Sequence, residues 1–100
     1  MEITITDGVQ TIITVKGRLD TVNASDFETK IAPIIAGEMK DIVVDCNELD
    51  YISSSGLRQF LTLQKASGTK QGKLTLTGMK DEIKEIFDMT GFTALFNFMS

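Results

Sequence analysis

One hundred residues make a single domain by size, and 42% apolar with 24% charged residues is the balance of an ordinary globular chain. Ten Lys and Arg against fourteen Asp and Glu leave a net charge of −4, the wrong sign for nucleic acid or an anionic membrane surface. Histidine is absent, cysteine occurs once, and no apolar run is long enough to span a bilayer. The usual general base and metal ligand are therefore missing, Cys46 has no internal disulfide partner, and a soluble cytoplasmic protein is expected.

The N-terminus, MEITITDG, alternates like a strand and lacks the pattern of a cleavable signal. Ile3 and Ile5, then Val9, Thr11, Ile13 and Val15, predict two antiparallel strands over 2–6 and 9–16, with Asp7-Gly8 turning between them and Gly17 ending the second. Asp20 or Thr21 can cap a helix in which Val22, Phe27, Ile31, Ile34 and Ile35 recur at near-helical spacing. Pro33 should end or kink its last turns, and Gly37 should close it. Asp41 to Cys46 is a β-branched run that predicts a parallel strand buried on both faces. A second helix is expected from Ser54 or Ser55 to about Ser67, with Leu57, Phe60 and Leu61 in the core and Gly68 as its stop. Lys73 to Thr77 predicts a strand, Met79 to Met89 a helix with Ile83, Ile86 and Phe87 inward, and Thr93 to Phe98 a short last helix. The order predicts an α/β fold: a mostly parallel four-stranded sheet with an antiparallel N-terminal strand and about four helices.

Chemistry concentrates in DCNELDYISSSGLR, residues 45–58, at a strand-to-helix junction. Sites in open sheets gather at the carboxyl ends of strands. One serine is enough to cap the helix. A second can be a modified hydroxyl, because a phosphate at a helix N-terminus gains from free amides and the dipole. A nucleophilic serine is a third reading, but without histidine only Lys, Asp or Glu could activate it. Asp45, Glu48 and Asp50 can be turn-formers or oxygen ligands for a cation. Asp20 can be a helix cap or a neighbour of the serine loop, and both Asp20 and Asp45 are expected within one side-chain layer of that loop, at the carboxyl ends of adjacent strands. Cys46 reads as a small core residue. No glycine-rich phosphate loop is present.

Three stretches, VKGRLDTVNASDFE, IVVDCNELDYISSSGLRQFL and KLTLTGMKDEIKEIFDMTGF, together resemble the STAS domain (sulphate transporter and anti-sigma factor antagonist). The resemblance covers nearly the whole chain, so one STAS domain over residues 1–100 is expected, and it is carried most specifically by DYISSSGLR. It implies a stand-alone bacterial anti-sigma factor antagonist, a non-enzymatic regulator without cofactor or metal. Its implied partners are an anti-sigma factor that is also a serine/threonine kinase, and a PP2C-type serine phosphatase. Laid on the family motif, Ser54 takes the phosphorylated place, with Ser53 as the alternative because it stands where many members have Asp. Partner contact is implied for Asp20, Ser53, Ser54, Ser55, Gly56, Leu57 and Arg58. One serine then caps, one switches, and one keeps the loop small. A monomer is expected. A scaffold module of a stress-signalling or lipid-transport assembly, without phosphorylation, is the alternative reading.

Overall fold

The computed structural model describes residues 1–37 and 41–99. Strands β1 (Glu2–Thr6) and β2 (Thr11–Leu19) form an antiparallel hairpin in continuous register from Glu2 opposite Lys16 to Thr6 opposite Ile12. Helix α1 (Ala24–Ala36) leads to β3 (Ile42–Asp45), which lies parallel to the first half of β2. Strand β4 (Leu49–Ile52) precedes helix α2 (Ser54–Thr69). Strand β5 (Leu74–Thr77), helix α3 (Asp81–Met89), a 3-10 turn (Thr93–Leu95) and strand β6 (Asn97–Met99) complete the chain. The main sheet runs β1-β2-β3-β5-β6, parallel after the first pair, and β4 pairs with β2 alone.

The α/β class and the antiparallel first strand agree with the expectation from sequence. The sheet has six strands rather than four, since β4 and β6 were not anticipated. Thr93 to Phe98 is not a helix: one 3-10 turn gives way at Phe96 to extended backbone that pairs with β5. Its apolar spacing serves a short strand as well as a helix, and the neighbouring strand edge decides. Gly17 does not end β2. It sits at φ 91 where the register shifts between Gly17 and Arg18, and the strand continues to Leu19. A glycine relieves the positive φ that such a bulge requires. Gly68 likewise lies within α2, which runs to Thr69.

One sheet face is buried. Ile13 and Val15, Ile42 and Val44, and Leu74 and Leu76 point into the core, while Thr14, Val43 and Asp45 on the opposite face are only half-buried. β3 is therefore covered on one side, not both. The helices supply the other half of the core at helical spacing: Ala24, Phe27, Ile31 and Ile34 from α1, Leu57, Phe60 and Leu63 from α2, and Ile83 and Phe87 from α3. Leu61 and Ile86 are half-buried against this core. Val22, expected on the apolar face of α1, is 87% exposed, because the helix begins after it at Ala24. Pro33 lies in the last turn of α1, which ends at Ala36. The end of α1 is held from outside: Lys70 Nζ, beyond α2, donates to the carbonyls of Ile34 and Ile35 at 3.2 and 2.8 Å.

Cys46 lies fully buried at the end of β3, and desolvation, with the nearby Asp45 charge adding to it, pushes its thiol up to about 12. The unfolded thiol titrates near 8.5. Because the folded value is raised, ionisation favours the unfolded chain, so this group lowers stability progressively above about pH 8.5 and has no effect below. At pH 8 the native protein should leave a thiol reagent such as DTNB unreacted over hours, and full reaction should appear on adding guanidinium. Rapid labelling of the native protein would show that the β3 end opens freely.

Candidate functional site

The serine loop is built by the length of β2. Its first half pairs with β3, and its second half, Gly17 to Leu19, pairs with β4 in the register Leu19 opposite Ile52. Strand β4 thus carries the chain past the end of β3 before α2 starts. Ser53 N–H donates to the Leu19 carbonyl at 2.8 Å, so Asp20 and Ser53 leave their strands side by side. The sequence reading anticipated that proximity. It also placed Asp45 there, and this is wrong: Asp45 is opposite Thr14, and Thr14 to Leu19 is roughly 16 Å of strand. Asp45 instead forms a local turn, accepting from the Asn47 amide at 3.0 Å and Asn47 Nδ2 at 2.7 Å.

The three serines divide their work by position. Ser53 is the cap of α2: its backbone is extended (φ −88, ψ 172), and its hydroxyl accepts from the Gly56 amide at 3.2 Å. It is only 8% exposed. Ser54 is the first helical residue and is exposed, while Ser55 is half-buried. Gly56 is buried beneath them. A Cβ there would stand 2.8 Å from Leu19 Cγ and 2.9 Å from Ile52 Cγ1, so the start of α2 rests directly on the paired ends of β2 and β4. Leu57 is 2% exposed and belongs to the core. Of the residues assigned to partner contact, Gly56 and Leu57 therefore support the loop from below. Ser54, Ser55 and Arg58 have side chains open to solvent wholly or in part.

Asp20 closes a turn ahead of α1 and is not its cap residue. Its carboxylate accepts the Asn23 amide at 3.0 Å, and Asn23 Oδ1 accepts the Asp20 amide at 2.8 Å. Asn23 Nδ2 also donates to the Arg18 carbonyl at 2.7 Å, tying the start of α1 to the end of β2. Asn23, not Asp20 or Thr21, is the residue immediately before the helix. Beside this framework, Gln59 Nε2 donates to Glu28 Oε2 at 2.9 Å and links the outer faces of α2 and α1. The N-termini of both helices thus emerge at one end of the sheet.

The acidic residues around the loop do not converge. Glu48 pairs with Lys16 at 3.3 Å, and Asp50 pairs with Lys80. Among the described residues, no three His, Cys, Asp or Glu side chains are grouped to hold a metal ion. Arg18 stacks on Tyr51, its register partner, with the guanidinium carbon 4.3 Å from the ring centre. Among the described residues no side-chain hydrogen bond joins the Ser54 hydroxyl to a base, and the Asp20 carboxylate is bonded to the Asn23 amide. The Ser54 hydroxyl is therefore exposed and lacks the bonded base that an activated nucleophile needs.

The chain is thus a six-stranded α/β domain in which an exposed serine opens a helix at the carboxyl end of parallel strands. The chain belongs to the STAS domain family, whose sequence profile matches residues 1–100. It is 34% identical over 85 residues to the BtrV protein of Bordetella bronchiseptica, covering 85% of this chain and 73% of that one. It is 29% identical over 83 residues to the anti-sigma-B factor antagonist of Staphylococcus aureus, covering 83% and 77%. Its fold is similar to that of the anti-sigma factor antagonist SpoIIAA in its unphosphorylated form, with a TM-score of 0.83 at 18% identity over 99% of this chain and 89% of that one. SpoIIAA of Bacillus in its phosphorylated form is also similar, with a TM-score of 0.76 at 18% identity over 99% and 92%. Anti-sigma factor antagonists of this family are regulators without enzymatic activity.

Proposed function

We propose that the chain is an anti-sigma factor antagonist switched by phosphorylation of Ser54. Unmodified, it binds a cognate anti-sigma factor that is also a serine/threonine kinase, and the kinase releases its target. Phosphorylation of Ser54 ends the binding, and a PP2C-type phosphatase restores it. The observation that carries this reading is the split between Ser53, buried and committed to the cap, and Ser54, exposed at the first position of α2. A kinase must draw its acceptor hydroxyl into an active site. Ser54 can enter without breaking the helix start, whereas Ser53 cannot. The added phosphate would meet the positive end of a 16-residue helix, which the fold tolerates. Asp20, Ser55 and Arg58 border the acceptor and are the remaining candidates for partner contact.

Incubation with the cognate kinase and ATP, followed by peptide mass spectrometry, tests the assignment. One phosphate at Ser54 is expected, lost in Ser54→Ala and retained in Ser53→Ala. Phosphate that persists in Ser54→Ala would move the switch to another residue.

A further inference from the structure

We propose that the outer edge of β1 is a self-association site, through which two copies of this chain pair antiparallel about Thr4 into one continuous sheet. Strand β1 has a single neighbour, β2, and ends the sheet on the side opposite β4 and the serine loop. On its outer side no described hydrogen bond or ion pair engages residues 2–6. Beyond the charge of Glu2 at its start, the strand carries few of the devices that protect edges. Its sequence, EITIT, contains no Pro and no Lys, and its pairing with β2 has no bulge. The opposite edge, β6, is three residues long and offers a poorer template.

The occupant is a second copy because the strand is complementary to itself. Antiparallel pairing centred on Thr4 sets Ile3 against Ile5 of the other copy, twice, and Glu2 against Thr6, twice. Ile3 and Ile5 oppose Val15 and Ile13, so both isoleucine pairs fall on the core face. In the single chain these isoleucines are only half-buried. A cleft of about 390 Å³ remains beside Ile3, between Met1, Glu2 and Ile3 on the strand side and Asn23, Asp26, Thr29 and Lys30 on the helix side. Helix α1 thus leaves the edge partly unroofed, and the partner's isoleucines would cover what it leaves bare. No like charges are opposed in this register, and the cleft is lined by Lys30 as well as by the acidic Glu2 and Asp26. The two-fold axis sends the two serine loops to opposite ends of the joined sheet, so pairing and the Ser54 switch are separate properties.

So short a strand pair buries less than the ~1,000 Å² that a stable interface needs, so the association is weak. The monomer expected from the sequence becomes the dilute member of an equilibrium. In sedimentation velocity the wild-type chain should shift from monomer towards dimer between about 10 µM and about 1 mM. Thr4→Lys should stay monomeric throughout, since Thr4 is exposed in the single chain and the two introduced charges would meet at the axis. Cross-linking fixes the register. With diamide as oxidant, Thr4→Cys should form a disulfide dimer at least tenfold faster than Thr6→Cys. Thr4 faces itself across the axis, whereas two copies of residue 6 lie well beyond the ~4.4–6.8 Å between Cα atoms that a disulfide spans. Cys46 is buried and stays out of the reaction. A wild-type chain monomeric at 1 mM, dimers untouched by Thr4→Lys, or equal cross-linking rates for the two variants would each overturn the proposal.

Discussion

Ser54→Asp is expected to bind the cognate kinase ~30- to 4,000-fold more weakly than the wild-type chain, and Ser54→Ala is expected to bind normally and resist modification. The cause is desolvation at a closing interface. In the free protein Ser54 is exposed, so a carboxylate there keeps its water. On the proposed reading the partner surface closes over the start of α2 and that charge must be stripped, and an unpaired buried charge at an interface costs ~2–5 kcal/mol. The fold itself should not suffer. Ser54 is the first residue of α2, where the dipole favours a negative group by ~0.3–1 kcal/mol. Ser53→Ala supplies the contrast: it removes the hydroxyl that accepts the Gly56 amide and should cost ~1 kcal/mol of stability. Calorimetric titration against the kinase, run beside melting curves, separates the two effects. Wild-type affinity in Ser54→Asp would remove Ser54 from the interface. A large drop in its melting temperature would mean that residue 54 is structural.

Phe60→Ala is expected to lower stability by ~3–5 kcal/mol, a large part of the ~5–15 kcal/mol that holds a domain of this size. Phe60 is fully buried on α2, and its ring lies 5.8 Å from that of Phe27 on α1 and 6.1 Å from that of Phe87 on α3. Phe87 in turn meets Phe96 and Phe98 edge-on at 5.5 and 5.6 Å. One ring thus joins three helices and, through Phe87, the last strand. Truncation leaves a cavity that elements anchored to the sheet cannot collapse to fill. In urea the midpoint should fall with little change in slope. Leu61→Ala, one residue on and only half-buried, should cost clearly less. Equal costs for the two would mean that α2 is rotated about its axis.

Local pattern was enough for the elements whose signal is periodic burial. The alternation of Ile3, Ile5, Ile13 and Val15 specifies the hairpin, and the spacing of Phe27, Ile31 and Ile34, of Leu57 and Phe60, and of Ile83 and Phe87 specifies the inward faces of three helices. Each residue meets its neighbours at the period of its own element, so no distant information is needed. The serine loop was legible for a similar reason: the end of an apolar run, three small hydroxyls, a glycine and a new apolar run spell a strand-to-helix junction.

What depends on partners far along the chain was decided only in three dimensions. Residues Leu49 to Ile52 carry no strand signature, and become β4 because the extended second half of β2 offers them an edge beyond β3. Phe96 to Met99 become extended because β5 has a free side. Asp45 ends β3 and Asp20 follows β2, yet only Asp20 reaches the serine loop, because β2 outruns β3 by the length of its pairing with β4. The sequence alone determined that a hydroxyl cluster would open a helix at the carboxyl end of a sheet. Which serine is sealed into the cap and which is left to solvent depended on how closely Gly56 rests on Leu19 and Ile52, a contact between segments that no local pattern encodes.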